Sequence, residues 1–428
     1  MLERVPLLER DLATYRDIVG DEALDRIREL AEPLQGARVL HLNATAYGGG
    51  VAELLATLVP LMRSGGLRAD WQVISGSDEF FSVTKAVHNG LQGMNIEWTS
   101  AMQEIYLEQV QANAAAFEGE WDFVVMHDPQ LAAMLSFLED DAPHQRAASL
   151  GTSKHWIWRC HIDLTDANQQ VWEFYRPFVE RHDASIWTMS EFVPASLNMA
   201  RVVTFPPCID PLSTKNLDLA RPFVEELCRQ YGISVAAPII CQVSRFDPWK
   251  DPVGVIEAFR LVREEVTDAQ LVLAGSMATD DPEGFHMWEL TEDARDGDPD
   301  IHLLSNIQQV GAVQINAFQR AADVVLQKSL REGFGLTVSE ALWKGRPVVG
   351  GNVGGITLQI QDGEDGYLVD SIEACADRTV ELLRNPTLAD SMGVVGREHV
   401  RRNFLSTRNL DDYLTLFNSL ANNGSPTV

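Results

Sequence analysis

Apolar residues follow two rhythms along this chain. Short, nearly continuous apolar runs predict strands at ARVLHLN (37–43), RADWQVIS (68–75), WDFVVMHD (121–128), KHWIWRCHID (154–163) and ASIWTMS (184–190). Between them VAELLATLVPLMRS, FFSVTKAVHNGLQ and PQLAAMLSFLE carry apolar residues at helical spacing. A second series starts near residue 238, with PIICQVS, AQLVLAGS, IHLLSN, DVVLQKS and RPVVGG as strands. DPVGVIEAFRLVREE and VGAVQINAFQRAA are its helices. Alternation of this kind predicts parallel sheets with helices on both faces. The Pro-rich polar stretch FPPCIDPLSTKNLDLARP (205–222) reads as the linker, and STRNLDDYLTLFNSLANN as a closing amphipathic helix. The expected fold class is α/β, with two doubly wound, Rossmann-like domains, 1–208 and 209–404. Facing each other, they would form a crevice at the C-terminal ends of both sheets, where such sheets bind ligands.

Composition narrows the function. The 428 residues are 45% hydrophobic and 22% charged, as in ordinary globular chains. No run of eighteen apolar residues exists, and the first residues, MLERVPLLERDLATYRD, lack an apolar signal core. A cytoplasmic enzyme is the simplest reading. Five scattered cysteines, an odd number, argue against a disulfide framework and against a metal site. The formal charge of −28 disfavours nucleic acid and anionic membranes as partners, leaving small-molecule substrates. It also makes cations informative, because lysine occurs only at 85, 154, 215, 250, 328 and 344.

Several motifs fall where strands end. Tyr47-Gly48-Gly49-Gly50 stands between a strand and a helix, where bare amides and the helix N-terminus suit a phosphate; a plain tight turn is the alternative. It is neither a dinucleotide fingerprint nor a P-loop. In Val243-Ser244-Arg245-Phe246-Asp247-Pro248-Trp249-Lys250, Arg245 and Lys250 could neutralise a diphosphate leaving group, or form a surface salt-bridge loop. Arg331-Glu332-Gly333-Phe334-Gly335-Leu336-Thr337-Val338-Ser339-Glu340 places two carboxylates across a strand–loop–helix junction, and each can accept two sugar hydroxyls. Gly354-Gly355-Ile356 offers another bare turn. In the first half, His127-Asp128-Pro129-Gln130 and Trp158-Arg159-Cys160-His161-Ile162-Asp163 end strands. The segment 79–89, containing Lys85 and Asn89, mixes aromatic and sugar-compatible polar groups. Asp296-Gly297-Asp298 contains a D-x-D pattern, which in an acidic loop reads as solvated rather than metal-binding.

Taken together, the Arg245/Lys250 pair, the E-x7-E set Glu332/Glu340 and the Gly-rich N-terminal loop resemble the retaining glycosyltransferases of the GT-B fold. More closely, GGGVAELL, EFFSVTKAVHNGLQG, HDPQ, WRCHID, PPCIDPLSTKN, VSRFDPWK, DDPEG and REGFGLTVSEALWKG resemble the glycosyltransferring trehalose synthase family. These stretches span nearly the whole chain. The resemblance implies transfer of glucose from UDP- or ADP-glucose to glucose, with retention. It implies Arg245, Lys250, Glu332 and His161 as the catalytic set, Arg245 and Lys250 holding the diphosphate. Gly48, Gly49, Gly50, Phe334, Gly335, Leu336, Glu340, Gly354 and Gly355 would bind the donor, with Glu340 on the ribose hydroxyls. Glu332, with the amides of Phe334 and Gly335, would grip the transferred glucose, and His161 its C6 hydroxyl. Lys85, Asn89, His127, Asp128, Gln130 and Asp163 are the acceptor-side candidates. It further implies that the final helix (405–428) packs back on the N-terminal domain. No cofactor and no metal are expected, and a homodimer stays open. A trehalose phosphorylase, a transferase with another acceptor, and a non-catalytic nucleotide-sugar sensor are the competing expectations.

Overall fold

The computed structural model describes residues 2–47, 49–140, 155–276 and 282–422. The chain divides into two compact units, Met1–Pro207 with Ser406–Val428, and Cys208–Leu405.

The first unit carries β1 (Glu3–Arg4), β2 (Arg38–Asn43), β3 (Arg68–Val73), β4 (Phe123–His127), β5 (His155–Arg159), β6 (Ala184–Trp187) and β7 (Val202–Thr204). They form one sheet in the order β1-β3-β2-β4-β5-β6-β7. All neighbours are parallel except β1, which pairs antiparallel with β3. Burial explains the sequence pattern. Every residue of β4 is buried, so it reads as a continuous apolar run; β3, next to the edge, alternates. Trp158, Trp172, Trp187, Tyr106 and Tyr175 fill the core, and Tyr106 donates its hydroxyl to the Pro129 carbonyl at 2.9 Å. The closing helix Ser406–Ala421 belongs to this unit although it is last in sequence. Its Leu410, Tyr413, Leu414 and Phe417 are buried, and the Phe417 ring stacks on Phe123 at 4.4 Å. Each fully buried side chain of this size stabilises the fold by roughly 1.5–3 kcal/mol. Residues 423–428 lie outside the described residues.

The second unit carries β8 (Ile239–Val243), β9 (Gln270–Gly275), β10 (Ile301–Ser305), β11 (Val324–Gln327), β12 (Val348–Gly351) and β13 (Gly366–Val369). Its order is β10-β9-β8-β11-β12-β13, with all neighbours parallel. Among the parallel strands of each sheet the chain order reverses once, between β2 and β4 in the first unit and between β8 and β11 in the second. The loops beyond those strand pairs diverge to opposite faces and leave a gap, the general ligand site of open α/β sheets. All five cysteines are free and buried. No described helix is long and apolar enough to cross a membrane.

Candidate active site

The reversal point of the second unit joins two loops. After β8 the chain enters Ser244–Asp251. Asp247 accepts the Trp249 amide at 2.9 Å, capping the single turn Pro248–Lys250, and its other oxygen accepts Arg245 Nη2 at 2.9 Å. Asp251, at φ 47°, caps the helix Pro252–Glu265 through the Gly254 amide and is paired with the buried Lys328. Gln242, buried at the end of β8, ties this loop to the one after β11. Its amide donates to the Lys250 carbonyl at 2.9 Å, and its oxygen accepts the Lys328 amide at 3.1 Å.

Across this seam Lys250 Nζ donates to Glu332 Oε2 at 2.5 Å, with the two side chains 16% and 10% exposed. The same oxygen faces Ser329 Oγ at 3.3 Å and Gln327 Nε2 at 3.5 Å. Glu332 Oε1 accepts nothing among the described residues, which leaves it free for a ligand hydroxyl. Arg245 is the outer cation, its side chain 53% exposed. Gly335, at φ 82°, starts the helix Leu336–Trp343 in a backbone region that a side chain disfavours. Gln359 holds the turns around it. Its amide donates to the carbonyls of Phe334 at 2.5 Å and Gly355 at 3.1 Å, and its oxygen accepts the Ser339 amide at 3.0 Å. Gly355 lies against the same loop, and a β-carbon there would sit 2.5 Å from Phe334 Cα. Gly354 has φ 46°.

Glu340, one turn into that helix, is 1% exposed. Its Oε2 is buried without a hydrogen-bond partner among the described residues, while Oε1 lies 3.8 Å from Lys215 Nζ. An unpartnered buried carboxylate oxygen is costly unless a ligand donates to it. Lys344, one turn further along, donates to Asn216 Oδ1 at 2.9 Å and to the Glu340 carbonyl at 3.0 Å. Burial pushes its ammonium down to about 7, against the opposing pull of Glu340.

The first unit holds a separate group of residues. Gly49 caps the helix Gly50–Ser64 without a side-chain cap, and both glycines are exposed; Gly48 lies outside the described residues. Asp280 and Asp281 of the DDPEG stretch also lie outside them. His127 Nδ1 meets His161 Nε2 at 2.9 Å, and His127 Nε2 meets His41 Nδ1 at 3.0 Å. Burial pushes His41 down to about 3 and holds His127 and His161 well below the ordinary histidine value. Asp128, at φ 64°, accepts the His161 amide at 2.8 Å; burial pushes its carboxyl up to about 7, against that amide and Arg159.

The acceptor-side expectation needs correction at His127. It is 1% exposed with both ring nitrogens engaged, so it reaches a ligand only through His161. Asp163 is buried too, with one oxygen accepting the Thr165 amide at 2.9 Å. Gln130 Oε1 is buried without a partner among the described residues. Lys85 and Asn89 stand one turn apart on the helix Asp78–Leu91, a different element from the histidines. Sequence reasoning missed His41, Gln242, Lys328 and Gln359. The scarcity of lysine was a usable signal for Lys328. The Asp296/Asp298 loop is a salt-bridge site, with Arg263 donating to Asp298 Oδ1 at 3.0 Å. Among the described residues no His/Cys/Asp/Glu group is arranged to hold a metal ion.

The neutral buried histidines have a consequence for stability. A depressed folded-state pKa contributes stability that is present above pH 6.5 and is lost as pH falls through the folded value. Asp128, raised instead, contributes stability below its unfolded value near 4 that is lost as pH rises through 7. His182 offers a clean test away from this cluster, because burial pushes it down to about 4. By pH 5 the wild type should lose about 2 kcal/mol through His182 alone, a loss that His182→Leu escapes. Urea unfolding of both proteins at pH 7 and pH 5 measures the difference, and parallel losses would show His182 already ionised in the folded state.

Comparisons with known proteins identify the family and the fold. Residues 41–194 match the family model described as trehalose synthase, N-terminal domain, and residues 223–399 match that of glycosyl transferases group 1. The chain is 50% identical to a trehalose synthase of Rubrobacter xylanophilus, over 98% of this chain and 99% of that one. It is 45% identical to a trehalose synthase of Pyrococcus horikoshii, over 96% and 97% of the two chains. Among solved structures it is similar to sucrose-phosphate synthase from Thermosynechococcus elongatus, with a TM-score of 0.68 and 16% identity over 91% of this chain and 100% of that one. That likeness shows the GT-B fold.

Proposed function

The chain belongs to the trehalose synthase family, and from that premise we propose that it transfers glucose from UDP- or ADP-glucose to free glucose, forming trehalose with retention at the anomeric carbon. The observation that carries the reading is the Lys250–Glu332 pair at the strand-order reversal of the second unit. It puts a cation beside a carboxylate, a group able to accept sugar hydroxyls, at the general ligand site of such sheets.

The reaction breaks the bond between the anomeric carbon and the diphosphate oxygen. The electron pair leaves with the diphosphate, and positive charge develops on the sugar. Arg245 and Lys250 stabilise the departing phosphate oxygens more in the transition state than in the bound donor. The acceptor hydroxyl forms the new bond on the same face and gives its proton to the leaving phosphate oxygen. No carboxylate nucleophile is needed, unlike in retaining glycosidases. Glu332 accepts hydroxyls of the transferred glucose, Glu340 accepts those of the ribose, and the amides of Phe334 and Gly335 complete the contacts of the second unit. His161 contacts the C6 hydroxyl. Two fixed side-chain cations supply the charge that a metal supplies in other transferases.

The test incubates the protein with UDP-, ADP- and GDP-glucose and glucose, with and without a chelator. Nucleoside diphosphate release, the disaccharide and its anomeric configuration are read by NMR. Release of nucleoside diphosphate with α,α-linked product, unchanged by the chelator, is expected. Product formed from glucose 1-phosphate alone would favour a phosphorylase, and chelator inhibition would restore a metal to the mechanism.

A further inference from the structure

Three histidines lie in a row across the reversal point of the first sheet. His41 is on β2, His127 ends the neighbouring β4, and His161 follows β5, the next strand. The register pairs His41 with Val125, so His41 and His127, two residues beyond Val125, project from the same face of the sheet. The rings meet nitrogen to nitrogen at 3.0 Å and 2.9 Å, and those of His127 and His161 are stacked within 15° of parallel. The nitrogens are used pairwise along a line, so the row has the form of a proton-ordered chain and not of a metal site.

We propose that His127 and His41 are positioning residues that hold His161 as its Nδ1–H tautomer, so that its outward nitrogen donates to a sugar hydroxyl oxygen. The inference rests on the reading above, in which His161 contacts the transferred glucose. Each ring-to-ring contact needs one proton between its nitrogens. Burial keeps all three rings neutral at pH 7, so each carries one proton. Only two orders satisfy both contacts. In the first, His41 Nδ1–H donates to His127 Nε2, and His127 Nδ1–H donates to His161 Nε2, leaving the His161 proton on Nδ1. In the second every proton is reversed, and His41 carries an Nε2–H.

The inner end of the row decides between them. His41 Nε2 is buried with no hydrogen-bond partner among the described residues. The second order would strand an N–H there, and orphaned buried N–H groups are rarer than unfilled acceptors. The Tyr413 ring, edge to face with His41 at 5.5 Å, is at most a weak acceptor. In the first order the buried nitrogen is a bare lone pair, and the proton sits at the outer end. A sugar hydroxyl accepting from His161 must then send its own proton elsewhere. The row thereby dictates the orientation of that hydroxyl and distinguishes a C6 hydroxyl from a C6 hydrogen.

Long-range 1H–15N correlation spectra of the full chain with 15N-labelled histidine read the tautomers directly. The expected pattern is Nδ1–H at His41, His127 and His161. An Nε2–H tautomer at His161 in the wild type overturns the proposal. His127→Phe cuts the row and should release His161 to a mixture of tautomers. It should lower kcat on the order of 10-fold with little change in acceptor KM. His127→Asn, whose amide can stand in for Nδ1–H, should restore both readouts. An unaltered His161 spectrum in His127→Phe also overturns the proposal. If the tautomers behave as expected but 6-deoxyglucosyl and glucosyl donors react equally well with the wild type, the positioning of His161 stands and its contact with the donor fails. Should His127→Phe not fold, the wild-type spectrum alone decides.

Discussion

Lys250→Ala is expected to lower kcat by about 10²- to 10³-fold, the usual cost of removing one fixed group that stabilises developing negative charge. The same change removes the partner of Glu332, whose side chain is 10% exposed. Leaving a buried carboxylate unpaired costs on the order of 3 kcal/mol, so activity and stability would fall together in the single variant. The double variant Lys250→Met/Glu332→Gln separates them. It removes both charges, should recover most of the lost stability in urea unfolding, and should recover none of the turnover. Lys250→Arg should stay well below wild type, because a planar guanidinium cannot replace a compact ammonium in this seam. Near-normal turnover in Lys250→Ala, with Glu332 intact, would remove Lys250 from the mechanism.

Gly275→Ala should be the most damaging change that touches no reacting group. A β-carbon at this end of β9 would lie 1.8 Å from the Ser244 carbonyl oxygen and 2.9 Å from its carbon. Neither belongs to a side chain that could swing away. The Ser244 amide also donates to the Ala274 carbonyl at 3.0 Å, which holds the two backbones together. The strand ends must therefore separate, at about 3 kcal/mol for overpacking of this kind. The displaced segment leads directly into Arg245 and Lys250, so donor KM should rise along with the loss of stability. A melting temperature unchanged from wild type would mean that the strand ends do not approach this closely.

Much of this architecture could be read from the chain. The buried central strands announced themselves as apolar runs, β8 as PIICQVS and β4 within WDFVVMHD, because parallel strands covered on both faces need no polar alternation. The edges could not be read the same way. β1 is two residues long, and β7 is Val202–Thr204 with both ends exposed, so neither carries a periodic signal. β13 is four residues that begin with Gly366, again too short for a periodic signal. In the site, the types of Lys250, Glu332 and Glu340 and their places in the loops and helix that follow strands were legible because their chemistry is unusual there. Their partners were not. Lys250 and Glu332 are 82 residues apart, His41 and His127 86, and Lys328 and Asp251 77. Such pairings are set by strand order, which local pattern does not specify. Gln242 and Gln359 were invisible for another reason: their role is to satisfy backbone carbonyls and amides, and any polar residue in a sequence could do that.

The discontinuous first unit has a consequence for synthesis. Its core needs Tyr413 and Phe417 from the last helix, whereas Cys208–Leu405 is contiguous. On the ribosome the contiguous unit can complete itself while the N-terminal sheet waits, one side still uncovered, for the final residues to emerge. Until that helix docks, apolar surface around Phe123 and His41 is therefore open to chaperones. A nascent chain exposed only as far as residue 405 would carry a finished second unit tethered to an unfinished first one.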